Sequence, residues 1–172
     1  MSSRLRVLAV LLTALIAQAT LLTEIRIQGA TVELMMVIAI LAGFHGGPER
    51  GMFVAFFAGL LQDSLISVPL GLHALVFPPL AVAVSSLEQR MVRLTPVADA
   101  LALLLASTAG IFMIVAAGLL FGLSPFDPSV LLTRILIAAA MTTAIAIPVN
   151  RAVRWAVMGG LPPEIKIRSI DS

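Results

Sequence analysis

What the chain lacks narrows it first. It has no cysteine, no tyrosine and a single tryptophan, and only 12% of its 172 residues are charged. Without cysteine, disulfides and thiolate metal sites are excluded, although that alone does not fix the compartment. So little charge stands beside 60% hydrophobic residues and a mean hydropathy of +1.09. A soluble domain of this size could not bury so much apolar surface. Sustained apolar–polar alternation is missing too, which argues against a membrane β-barrel. What is left is an all-α integral membrane protein, a single polytopic domain over 1–172. There is no P-loop, no dinucleotide-binding glycine fingerprint, no HExxH and no nucleophile triad. The two histidines, His45 and His73, have no carboxylates at metal-ligand spacing. No enzyme activity, metal or cofactor is expected. The net charge of +2 and pI of about 10.4 do not point to nucleic acid, because the basic residues lie between apolar runs rather than on a patch.

Six apolar segments follow one another. The first, 5–22, has Arg6 as its only charge and rises roughly 27 Å as a helix, close to a full crossing. Arg4 and Arg6 at its head and Ala17-Gln18-Ala19 near its end also fit a signal peptide; a retained helix is the favoured reading. The second, 32–44, has Thr31 as N-cap and Glu33 in its first turn. At roughly 20 Å it is short for a ~30 Å hydrocarbon core, so one end is expected in a recess covered by protein. Residues 45–50 read as a turn, with Pro48 opening the third helix, 48–64. The fourth, 69–91, is opened by Pro69 and carries Pro78-Pro79, where a kink is expected. The fifth, 96–122, begins at Thr95-Pro96. The sixth, 128–147, begins at Asp127-Pro128 and is expected to kink or end at Pro148. Past it, Arg151, Arg154 and Trp155 suit the headgroup zone, so 149–172 reads as an interfacial or poorly ordered tail.

Six crossings place both termini on one side. With that side cytoplasmic, nine of the 11 basic residues lie inside and only Arg26 and Arg134 outside, in line with the positive-inside rule.

The stretch 47–63 organises this pattern. Gly47, Gly51, Ala55 and Gly59 recur at every fourth position and leave a smooth stripe along one helix face, where another backbone can come close. The stripe reads as the packing face of a central helix, with a homodimer face as the alternative. Asp63 lies ~22 Å along that helix from Pro48, near the outer edge of the hydrocarbon rather than at its centre. Two readings stand for it: an interfacial carboxylate ending a helix, or a partner contact or buried pair, with His73 brought to similar depth by the short loop. Glu33 is either a first-turn partner of the helix dipole or a ligand. Arg134 either snorkels to the outer interface or pairs with Asp127 or a partner.

The run from Glu33 through LMMVIAILAGFHGGPERGMFVAFFAGLLQD to Pro69-Leu70-Gly71-Leu72-His73-Ala74-Leu75 resembles the bacterial rod shape-determining MreD family. The shared features are an acidic residue opening helix 2, the Gly47-Pro48 turn, Gly51 and Gly59 on a helix ending GLxxD, and a PLGxHAL-like start to helix 4. The close likeness covers about 45 of 172 residues. Two departures stand: Pro78-Pro79 where the family often has glycines, and generic apolar sequence in helices 5 and 6.

The resemblance implies a six-helix fold similar to the substrate-binding subunits of energy-coupling-factor transporters. It implies a non-enzymatic scaffold of the cell-elongation complex in the inner membrane. The direct partner would be MreC, bound through membrane helices. MreB, the polymerase RodA and its transpeptidase would be indirect partners. Contacts are expected from the glycine stripe and from Asp63, Pro69, Gly71 and His73. The alternative is a vitamin-like small-molecule binding subunit of a transporter, which the acidic Glu33, Asp63 and Asp127 keep open.

Overall fold

The computed structural model describes residues 3–22, 26–27, 30–66, 68–90, 96–123 and 128–158. Five α-helices hold nearly all of them: α1 (Ser3–Ala17), α2 (Leu34–Leu65), α3 (Leu72–Arg90), α4 (Pro96–Leu120) and α5 (Pro128–Met158). α1 continues into a π-helical turn, Gln18–Leu22. The link to α2 includes a two-residue antiparallel pairing of Arg26–Ile27 with Ala30–Thr31.

α2 is two arms joined at Gly47, whose φ of 74° and ψ of 178° leave helical geometry. That backbone region is essentially open to glycine alone. Pro48 then opens the second arm, where its missing N–H costs nothing. In an unbroken helix, residues 43 and 51 would lie ~12 Å apart. Here a Cβ on Gly51 would fall 2.6 Å from the Gly43 Cα. The arms therefore fold back on each other as a hairpin, with two glycines at the crossing.

The molecule is centred on the first arm, not on the second as the stripe suggested. Residues 34–43 are all buried. The second arm instead carries an exposed row, Met52, Phe53, Phe56, Phe57 and Leu60. Both arms carry long apolar runs, and the neighbouring helices decide which of them is buried. α3 runs back along the hairpin. Gly43 faces the Ala81 carbonyl, and a Cβ on Gly59 would fall 2.6 Å from the Ala74 Cα. α5 and α1 close the other sides of the arm. α4 reaches it at Gly110, where a Cβ would meet the Met36 sulfur.

Several boundaries differ from expectation. α5 passes through Pro148 and ends at Met158, so the first residues of the expected tail are helical. α3 begins at Leu72 rather than Pro69 and, as expected, carries Pro78-Pro79 in its interior. In apolar surroundings, leaving the helix would strand several backbone groups, whereas each proline removes only one bond. Thr31 belongs to the short strand pairing, and α2 begins at Leu34 with Glu33 in the N-cap position, without a side-chain cap bond. Thr95 and Asp127 lie outside the described residues. Among the described residues, two helices are long and apolar enough to cross a membrane alone, Asp99–Leu120 and Ile135–Met158.

Candidate functional site

Two helix starts meet two helix ends at one end of the bundle, and polar side chains join them. A helix leaves its first backbone N–H groups without partners, and its dipole favours negative charge there. Asp63, near the end of α2, fills this need for α3. Its carboxylate accepts from the N–H of Gly71 at 2.9 Å, of His73 at 3.1 Å and of Ala74 at 3.3 Å. The His73 Nδ1 lies 2.6 Å from the same carboxylate. Asp63 is thus a cap supplied by the preceding helix rather than by the loop. Gly71 makes the geometry possible: its φ of 103° turns the chain so that its N–H points at Asp63. Pro69 sets up the turn through a bond from the Leu72 N–H to its carbonyl, 3.2 Å. His73 is held from its other face by Phe77, edge-on at 5.4 Å between centroids.

The start of α2 is capped in the same manner. The π-helical turn ending the first helix turns Gln18 into the bundle. Its Oε1 accepts from the Met35 N–H at 3.2 Å, and its Nε2 donates to the Gln62 Oε1 at 2.5 Å. Gln62 adjoins Asp63, so the two caps form one buried unit: Gln18, Gln62, Asp63 and His73 are each at most 8% exposed. Glu33 stands at the start of α2, next to this unit. Its Oε2 is buried without a hydrogen-bond partner.

The opposite end holds looser contacts. The His45 Nε2 meets the Asn150 Oδ1 at 2.5 Å, tying the base of the hairpin to α5. The Arg6 guanidinium stacks over Trp155 at 5.5 Å, within the cation–π range. The beginning of α1 and the end of α5 therefore lie at the same end as the Gly47 turn.

The family model described as the rod shape-determining protein MreD matches residues 3–154. The chain belongs to the MreD family. No curated protein and no solved structure matches it. MreD proteins are membrane proteins that take part in the rod-shape complex, and the long apolar helices here fit that setting.

The residues singled out in sequence fall into three groups. Asp63, Pro69, Gly71 and His73 come together in the cap of α3. Gly51, Ala55 and Gly59 form a buried line on the second arm, facing Gly43 and α3, while Gly47 makes the turn. Arg134 lies on α5, apart from both groups in sequence, and its side chain is outside what is described. Sequence reasoning missed Gln18 and Gln62. A lone amide in an otherwise apolar run is the signal for such residues, but the alanines flanking Gln18 also fit a cleavage-site pattern, which hides it. The partnerships of His45 with Asn150 and Arg6 with Trp155 also went unread, because they join residues more than a hundred positions apart.

Proposed function

We propose that this chain is a non-catalytic scaffold of the cell-elongation complex in the bacterial inner membrane. In this reading it crosses the membrane six times with both termini cytoplasmic. It binds MreC through its membrane helices and helps position peptidoglycan synthesis; MreB, RodA and its transpeptidase join indirectly. The observation that carries this reading is a double cap: the buried pairs Gln18–Gln62 and Asp63–His73 stand side by side, and Gln18 and Asp63 each accept from the start of a helix. Polar groups used in this way hold helices in register.

With the two arms of α2 counted separately, six α-helical segments stand among the described residues, a number that supports a fold like that of the energy-coupling-factor substrate-binding subunits. The Arg6–Trp155 stack at the hairpin-base end agrees with termini on a shared side. Gly51, Ala55 and Gly59 serve packing within the bundle, and Glu33 and Arg134 supply polar contacts near the outer face.

The test is capture of MreC from detergent-solubilised membranes, paired with rescue of rod shape in a deletion strain. Wild type is expected to capture MreC and restore rods. Asp63→Ala is expected to lose both together. An Asp63→Ala variant that stays folded, captures MreC fully and restores rods would overturn the network's role.

A further inference from the structure

The start of α1 and the end of α5 form a seam at the same end of the bundle as the Gly47 turn. Arg6 stands half-buried in it, with its guanidinium 5.5 Å from the centre of the Trp155 ring. The Arg6 Nε is buried without a hydrogen-bond partner. Arg4, Arg151 and Arg154 are exposed on the same two helix ends. Arg151 lies one turn before Trp155 on its face of α5. Neither α1 nor α5 contains an acidic residue. Among the described residues the ion pair is Asp63 with His73, at the other end of the bundle, so these four arginines have no carboxylate partner there. The acids of this end lie on other elements: Glu49 beside Arg50 at the hairpin bend, Glu88 on α3 and Asp99 on α4. Glu88 and Asp99 act on His45, as Arg154 does, whereas α1 packs chiefly on α5 and α2.

A freely solvated arginine extends into water. Arg6 is instead held against an indole, and an arginine fixed in this way is suited to bidentate contact with a phosphate. Trp155 is 46% exposed, and an indole at an arginine-rich helix end belongs to the headgroup layer. Leu5 and Leu8, next to these arginines on α1, are exposed as well. A lipid covers such leucines with its acyl chains while its headgroup meets the arginines; an acidic peptide satisfies the arginines alone. We propose that the α1–α5 seam binds the phosphate of an anionic phospholipid headgroup. Arg6 is the donor, Trp155 holds it in place, and Arg151 and Arg154 add positive charge beside it. Placing the lipid in the cytoplasmic leaflet, where anionic headgroups attract basic side chains, rests on the topology proposed above. The site itself does not depend on MreC.

Trp155 is the only tryptophan, so the site carries its own reporter. The purified full-length chain goes into phosphatidylcholine vesicles containing a rising share of phosphatidylglycerol with brominated acyl chains, which quench a neighbouring indole. Brominated phosphatidylcholine is the reference. Brominated phosphatidylglycerol is expected to quench Trp155 at a several-fold lower share, and excess inorganic phosphate to leave that preference in place. Arg6→Gln is expected to bring the two lipids level. Arg6→Lys, a point charge without the planar fork, is expected to fall between. Arg26→Gln, which removes the same charge from the strand pairing before α2, is expected to keep the wild-type preference. Equal quenching by the two lipids in wild type, an unchanged preference in Arg6→Gln, or an equal loss in Arg26→Gln would overturn the site. A preference abolished by inorganic phosphate would assign the seam to a free anion and overturn the lipid. Should Arg6→Gln fail to fold, the double variant Arg151→Gln, Arg154→Gln, at two exposed positions, takes its place and is expected to lower the preference. In a chain without cysteine, labelling of Ser3→Cys from the periplasm would overturn the cytoplasmic placement together with the topology above. Loss of the lipid preference alone leaves that topology and MreC capture standing.

Discussion

Along α2 and α3, backbone meets backbone. Gly51 lies against Gly43, Gly43 against the Ala81 carbonyl and Gly59 against His73 and Ala74. Along α4, Gly110 is the glycine that comes close to the core, and Leu101, Leu105, Phe112, Leu119 and Leu120 are exposed. Both regions are strongly apolar, so hydrophobicity alone does not separate them. In lipid an exposed leucine costs nothing, and helices are held by close packing and polar contacts. The α2–α3 pair has both, with Asp63 capping the second helix from the first. α4 has neither to the same degree, and its face is free for lipid or a partner. The bundle is thus a rigid core of paired helices with a more loosely held wall.

The comparison can be broken most severely at Gly59. Leucine there would collide with the backbone of α3 rather than with a movable side chain. Gly59→Leu is expected to destabilise the protein by at least ~3 kcal/mol and to leave little folded material after detergent extraction. The fluorescence of Trp155, the only tryptophan, gives the melting curve.

Asp63→Ala should come next. It leaves three backbone N–H groups and a histidine without their acceptor, an expected loss of roughly 2–3 kcal/mol. Asp63→Asn, which keeps one oxygen acceptor, should lose less. Hydrogen exchange reads the effect directly, with protection falling at Gly71, His73 and Ala74 before the middle of α3.

Gln18→Leu removes one cap bond and the link to Gln62, for an expected cost of about 1 kcal/mol in melting experiments. The smallest effect, with the opposite sign, belongs to α4. A Cβ at Gly118 would meet only the Leu123 side chain, at 3.5 Å. Gly118→Ala is therefore expected to raise stability by ~0.5–1 kcal/mol through helix propensity. A loss there comparable to Gly59→Leu would erase the distinction between core and wall.

Where the backbone demands a particular residue, the sequence was readable. Gly47 and Gly71 adopt conformations that side chains resist, Pro48 suits a helix start, and Gly59 permits contact with α3. These residues also carried the likeness to the MreD family. The closeness of Asp63 and His73 could be entertained because a short loop joins their helices. Other features were out of reach for physical reasons. Which arm is central depends on how α1, α4 and α5 wrap around the hairpin, and an apolar run does not record its neighbours. Gln18 reaches across 44 positions to Gln62, and nothing local marks that pairing. Pro148 breaks helices in water, where the freed groups are solvated; among apolar neighbours the helix continued past it.

The Gly47 turn also constrains how the protein is made. Residues 34–46 rise only ~20 Å and present no side facing lipid along 34–43. A segment of this kind has no resting place in a bilayer until its neighbours arrive. Release from the insertion machinery is therefore expected to be paired: the first arm waits until the second has emerged, and the two leave as one unit bent at Gly47. The exposed Glu49 and Arg50 at that bend are then the charges that hold the tip on its own side of the membrane while the pair moves out.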